Sequence, residues 1–292
     1  MKHATSGITN RTRFAGSWYS GSAAELEQQL TAALRRSGGH GEGIQGAILP
    51  HAGLAYSADG MAAGFSRINA GAVDQAVLLA PSHYVRLDPD TLYSAPFASH
   101  QTPLGEIPGL VPPEGMAENA EAIEREHAVE LLLPFLRYTL PDVPLLVVLV
   151  PEISSLETIS TLRDTLIGSL GPRERGTLFL ASSDFTHYGP RFRYTPFGTT
   201  PLSEVEARVA EDDRAFARAA ADTDLVALRQ RMADGPISIC GRYPVLLLSA
   251  VMKALGRRGD VVRYYTSNTV HEPSEDFVCY ASVVYGSENP GE

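Results

Sequence analysis

Four titratable side chains lie directly behind apolar runs of the chain. They follow in Ile48-Leu49-Pro50-His51-Ala52-Gly53, in Leu79-Ala80-Pro81-Ser82-His83, and in Leu180-Ala181-Ser182-Ser183-Asp184-Phe185-Thr186-His187. Imidazoles bind metal ions or move protons near neutral pH, and a carboxylate beside them orients a ring or holds a substrate. Ligands of open α/β sheets bind beyond the carboxyl ends of the strands, so three such exits can converge on one site. Pro50 and Pro81 stiffen the approach to each imidazole, and Gly53 lets the backbone turn behind His51. One histidine at a strand end is also what a hydrogen-bonded structural residue looks like, so the group of four carries the reading. His127, in Glu126-His127-Ala128-Val129-Glu130, adjoins an apolar helical face and reads either as core or as a group just behind the site. His3, His40, His100 and His271 stand in polar or terminal segments and are expected to be solvated.

Cys240 is the next candidate, because Ile237-Ser238-Ile239-Cys240-Gly241-Arg242 leads into an apolar helical segment. A thiol at a helix N-terminus near Arg is expected to be pushed toward thiolate, the form that binds metal or attacks; a buried inert thiol is the other reading. Cys279, inside a strand-like alternation, reads as core. Two imidazoles and a thiolate suit Fe(II), Cu or Zn, and three ligands with open positions are the layout of a catalytic metal site. Calcium or magnesium would want more oxygen donors. The sequence has no Gly-rich phosphate loop, nucleophile elbow or Cys-x-x-Cys pair, which counts against kinase, α/β-hydrolase and zinc-finger readings.

The elements that must position these groups are short apolar runs alternating with segments of helical period, the pattern of a sheet with parallel strands covered by helices. The runs are Ile44–Leu49, Gln75–Ala80, Val143–Val150 and Thr177–Ala181, and their continuous apolar character predicts burial on both faces. Helices are expected at Ser57–Ile68, Glu121–Tyr138, Leu156–Leu170, Glu204–Ala219 and Arg242–Leu255, with Pro134 kinking the second. Ser154 with Glu157, and Ser203 with Glu206, fit the Ser-x-x-Glu capping box. Val261–Thr266 and Phe277–Tyr285 read as two closing strands, and the stretch from Leu87 to Glu118 as a structureless lid or site wall. Ser37–Gly43 and the tail from Gly286 read as a flexible loop and a frayed end.

The chain has 292 residues, of which 44% are hydrophobic and 20% charged, a globular balance rather than a disordered one. No composition break divides it, so one α/β domain over residues 1–292 is expected, with an ordered core from about 10 to 286, built on a mixed, largely parallel sheet flanked by helices. A net charge of −10 argues against broad binding to nucleic acid or an anionic membrane. The first residues carry no apolar stretch, so no signal segment or anchor is expected. Two cysteines make no disulfide framework, and a reducing cytoplasm is the expected setting.

The chain resembles the MEMO family, named after a cell-motility mediator, in several ordered blocks: Ala15-Gly16-Ser17-Trp18-Tyr19; Pro50-His51-Ala52-Gly53 with Tyr56-Ser57; Pro81-Ser82-His83; Glu126-His127-Ala128-Val129-Glu130 with Leu133-Pro134-Phe135-Leu136; Ser182–Gly189; and Cys240-Gly241-Arg242. The resemblance implies the fold of the class III extradiol ring-cleaving dioxygenases. It also implies a metal-type pocket from His51, His83 and Cys240, catalytic His187 and Asp184 beside it, and Trp18, His127 and Ser183 toward the substrate. Fe(II) or Cu is the implied metal, with Zn as an option. The implied activity is redox or dioxygenase-like on an unknown small molecule or peptide; a non-catalytic phosphopeptide- or anion-binding module in the same pocket is the alternative. In bacteria and archaea the resemblance further implies a link to a radical S-adenosylmethionine protein. Leu54 and Tyr84 stand where an aromatic residue and a second His are expected, and Thr186 and Tyr188 where Cys and Trp are common. Cys240 stands where ring-cleaving relatives use Glu, so ring cleavage does not follow from the fold.

Overall fold

The computed structural model describes residues 7–39, 43–168, 170, 176–234 and 237–288. Its strands are β1 (Thr9–Asn10), β2 (Gly46–Leu49), β3 (Gln75–Ala80), β4 (Tyr93–Ser94), β5 (Ser99–Thr102), β6 (Gly105–Pro108), β7 (Ala117–Glu118), β8 (Leu145–Leu149), β9 (Thr177–Ser182), β10 (His187–Tyr188), β11 (Arg257–Thr266) and β12 (Phe277–Glu288). The helices are α1 (Ala23–Ser37), α2 (Leu54–Phe65), α3 (Ala120–Glu124), α4 (His127–Glu130), α5 (Leu133–Thr139), α6 (Leu156–Gly168), α7 (Leu202–Ala221), α8 (Leu225–Ala233) and α9 (Arg242–Ala254).

Four strands form the parallel centre of the main sheet in the order β2-β9-β3-β8, with β12 antiparallel on one side and β4 on the other. Every residue of β2, β3, β8 and β9 is buried, as their unbroken apolar sequence requires. Alternate side chains feed two cores. Ile48, Val77, Leu79, Val148 and Phe179 meet α6, α7, α8 and α9, while Ala47, Leu49, Leu78, Val147 and Leu180 meet α1, α2 and α5 on the other face. The result is a single α/β domain of three layers. A small separate sheet, β1-β5-β6, lies apart from it.

Register positions the site. Leu49 pairs with Ser182, and Ala181 pairs with both Ile48 and Leu79, so β2, β9 and β3 end level with one another. His51 and Asp184 each lie two residues past the end of their strand and His83 three past its own, on one edge of the sheet.

Several expectations are corrected by tertiary context. Glu121–Tyr138 is three short helices rather than one; Pro134 occupies the first turn of α5, where no backbone donor is needed, and starts that helix instead of kinking another. Neither proposed capping box forms. Ser154 bonds Asp90 while Ser155 accepts from the Thr158 N–H at α6, and α7 begins behind Pro201 with Glu206 bonded to Thr266 and Asn268. The stretch from Leu87 to Glu118 is not structureless: it supplies β4 and β7 to the main sheet and β5 and β6 to the small one. Strand β12 runs through Gly286 to Glu288, so the start of the tail expected to fray is strand, and α1 extends to Ser37 before Gly38 closes it at φ 68°. Residues 40–42 and 289–292 lie outside the described residues, as do His3 and His40. His100 is buried at 2% exposure and its Nδ1 pairs with the Asn10 amide, against the expected solvation. Among the described residues no helix is long and apolar enough to cross a membrane.

One buried carboxyl braces the site loop from behind. Asp213 on α7 accepts from the Thr186 hydroxyl at 2.6 Å and the Tyr264 hydroxyl at 2.9 Å. Burial pushes its carboxyl up to about 6 against the pull of these donors. The folded state therefore holds this proton to higher pH than the unfolded chain does, and its contribution to stability falls as pH rises from about 4 to about 6. Asp213→Asn removes that titration. Urea unfolding at pH 4 and pH 8 should show the variant gaining roughly 2 kcal/mol on the native protein across this range; a constant difference between the two would refute the assignment.

Candidate metal centre

The ligand atoms of His51, His83 and His127 lie within 4.8 Å of one another, the one such group among the described residues. Strand exits bring in His51 and His83, and the start of α4 brings in His127. The ring centroids are 5.3 Å apart for His51 and His83, 5.3 Å for His51 and His127, and 4.4 Å for His83 and His127. Cys240 joins through His51, with Sγ 3.1 Å from His51 Nε2.

Hydrogen bonding decides which nitrogen of each ring is available. The Ser182 hydroxyl donates its only proton to the Ala128 carbonyl at 2.6 Å, so at His51 Nδ1, 2.7 Å away, it can only accept. His51 therefore carries its proton on Nδ1, and its Nε2 lone pair faces Cys240. Glu126 does the same for His83, accepting from Nδ1 at 2.8 Å and from the His83 backbone N–H at 2.6 Å. The same carboxylate caps α4 through the Ala128 N–H at 3.0 Å. A carboxylate or hydroxyl behind each ring is the arrangement that fixes the tautomer of metal-binding histidines. His127 differs: its Nδ1 is buried with no hydrogen-bond partner, 3.3 Å from Glu126 Oε1, and its ring is set by packing, with Trp18 at 4.8 Å between centroids.

Electrostatics favour the neutral ring at His51 and at His127. Burial, then repulsion from His83, His127 and His187, holds His51 well below the ordinary imidazole range. Burial and His83 lower His127 to about 4, against the opposing pull of Glu126. The thiol expectation is corrected: burial, reinforced by Asp184, raises Cys240 well above its ordinary value, overriding the helix-end effect. Donors that are uncharged until a cation arrives fit a metal site, since the ion supplies the missing positive charge.

The remaining expected residues divide. Asp184 takes the His51 N–H at 2.7 Å and ties the β2 and β9 exits together; burial raises its carboxyl, against His187 and the His51 N–H. His187 is held not by Asp184 but by the Phe185 and Ser238 carbonyls, each 3.1 Å from its Nδ1, so Nε2 carries the lone pair in the neutral ring. Trp18 and His127 line an open groove of about 530 Å³ together with Tyr56, Asp184, His187 and Phe192. Ser183 does not face it. Its buried hydroxyl donates to the Asp184 carbonyl and accepts the Gly241 N–H at 3.2 Å, which holds the Cys240 turn against β9.

Three residues escaped the sequence reading. Ser182 and Glu126 fix two tautomers. Glu130 takes the Arg13 and Phe14 N–H groups and the Tyr19 hydroxyl, at 2.8, 2.9 and 2.7 Å, and so anchors the segment that carries Trp18. Two carboxylates four residues apart around His127-Ala128-Val129 were the available signal, since buried acids need such partners.

Ser182→Ala should leave His51 Nδ1 and the Ala128 carbonyl unpaired at a cost of about 2 kcal/mol, and imidazole ¹⁵N shifts should show a protonated Nε2 population at His51. A single unchanged tautomer would contradict the assignment. Gly241→Ala places a Cβ 2.5 Å from Ser183 Cβ. Thermal unfolding should record a clear loss; a variant as stable as the native protein would mean the turn has slack.

Residues 10–284 match the family described as Memo-like protein. Over 97% of its length the chain is 28% identical to the Protein memo-1 homolog of Caenorhabditis elegans, covering 85% of that protein. It is 29% identical to a MEMO1 family protein of Thermococcus onnurineus, over 93% of this chain and 97% of that one. The human Protein MEMO1 is 25% identical over 94% of this chain and 96% of its own. The level strand exits and the histidine group are thus carried by a chain that belongs, over nearly its whole length, to the Memo-like protein family.

Proposed function

We propose that this protein binds a redox-active metal, iron or copper, through His51, His83 and Cys240 and performs a redox or dioxygenase-like reaction on a substrate in the adjoining groove. The observation that carries the reading is the pair of committed Nδ1 atoms, which leaves His51 Nε2 beside the Cys240 sulfur and the His83 Nε2 lone pair available. Zinc fits the same donors without supplying redox chemistry. When bound, iron or copper would supply electron transfer or Lewis acidity.

The chain's own residues do the rest. His187, with Nδ1–H spent on two carbonyls, accepts a proton at Nε2 and returns it. Trp18 and Phe192 wall the groove for an apolar or aromatic body, and Asp184 lines it. The open groove also supports a second reading, a non-catalytic phosphopeptide- or anion-binding module, because Arg191 is among the residues that line it.

Metal analysis after anaerobic loading with Fe(II) or Cu(I) tests the first reading. The native protein should hold about one equivalent, and Cys240→Ser or His83→Ala should weaken it by far more than Glu126→Gln, for which roughly 10- to 100-fold is expected. Retention in Cys240→Ser with loss in His127→Ala would move the third ligand to His127. No stoichiometric metal in the native protein, with saturable phosphopeptide binding, would establish the second reading instead.

A further inference from the structure

A second cavity, about 460 Å³, lies where α1, α2 and β11 meet, and the Tyr56 side of α2 walls both it and the site groove. Its charges do not balance. Arg36 of α1 places Nε and a terminal nitrogen on Asp59 Oδ1 at 3.2 and 2.6 Å. Arg263 of β11 reaches Oδ2 of the same carboxylate at 3.3 Å. Two guanidiniums thus share one carboxylate in a protein whose net charge is −10. Arg263 Nε is moreover sealed from solvent with no acceptor, and its guanidinium carbon stands 5.2 Å from the centroid of the Tyr265 ring beside it. Nε is closed to a ligand, but the Arg263 side chain is 40% exposed and only one terminal nitrogen bonds Asp59, so the guanidinium keeps further N–H donors that an arriving oxyanion can take.

The neighbouring residues define the rest of the ligand. Leu54, Ala55, Ala58 and Val270 give the cavity apolar walls. Tyr265 is pinned by its hydroxyl to the Tyr56 carbonyl at 2.7 Å, so the aromatic wall is preorganised. With Asp59 already present, a monoanion meets less repulsion than a dianion, and the planar fork of each guanidinium matches a carboxylate.

We propose that this cavity is a binding site for an organic monocarboxylate, whose oxygens engage Arg36 and Arg263 while its hydrocarbon body lies along the Leu54–Ala58 and Val270 walls. The site is independent of the histidine centre and of any metal there.

Calorimetric titration of the full-length protein with benzoate, at low ionic strength, tests this, with inorganic phosphate as the comparison. Saturable benzoate binding is expected. Arg36→Gln and Arg263→Gln should each weaken it by about tenfold or more, whereas Asp59→Asn, which releases both guanidiniums, should tighten it by a similar factor. His83→Ala should leave it unchanged. All four positions are exposed or partly exposed, and circular dichroism establishes that each variant is folded. The proposal is overturned if benzoate does not saturate in either the native protein or Asp59→Asn, or if the arginine variants bind as the native protein does. It is overturned equally if His83→Ala abolishes binding, or if phosphate binds more tightly than benzoate.

Discussion

Packing imidazoles together at the ends of buried strands is costly wherever a ring nitrogen that faces protein lacks a partner. The Ser182 hydroxyl meets that constraint at the most buried ring. It has one proton, and the Ala128 carbonyl takes it, so the lone pair left over can only receive His51 Nδ1–H. One side chain thereby joins the ends of β2 and β9 to the first turn of α4, where His127 begins. The level register of β2, β9 and β3 places the backbone for this contact, and the contact in turn gives the register its chemical use. Replacing the hydroxyl by any apolar group would leave two buried polar atoms facing each other's empty places, a larger loss than one hydrogen bond.

Carboxylates solve the same problem at the backbone. Glu126 receives two N–H groups and an imidazole N–H, Glu130 two N–H groups and a hydroxyl, and Asp184 the His51 N–H. Each one fastens a loop that would otherwise enter the site with unsatisfied donors: the β3 exit, the Trp18 segment and the β2 exit. Buried acids are tolerable here because peptide donors converge on them, and loops so held can present His83 and Trp18 in one orientation.

The sequence made the sheet legible because strands covered on both faces must be apolar without interruption, and a polar residue just past such a run has few structural reasons to be there. His51, His83, Asp184 and His187 stood out on that ground. Ser182 and Glu126 did not, since a serine ending a strand and a glutamate opening a helix are ordinary residues until a partner far away in sequence is placed beside them. The capping boxes failed for a related reason: Ser154 and Glu206 had tertiary acceptors and donors, in Asp90 and in Thr266 with Asn268, that outcompeted the local pattern. Helix α1 buries Leu26, Leu30 and Ala33, with Leu34 packed beside them, a stripe too thin to be noticed amid polar residues.

Cys240 shows how far local rules reach. Its position ahead of α9 and next to Arg242 argued for a thiolate, yet the turn that sets it there also half-buries it, with Gly241 pressed against Ser182 and Ser183 so closely that no side chain fits between. Desolvation of a thiol is a larger effect than the partial charge of a helix end, and the nearby Asp184 carboxyl adds to it. The sulfur is therefore held as a proton-bearing donor beside a ring whose own basicity burial and three neighbouring imidazoles have lowered. Neither group charges readily by itself, and the charge that would make both strong donors has to come from outside the chain. A cation is one species that supplies it, and in the proposed metal centre it would arrive beside this sulfur.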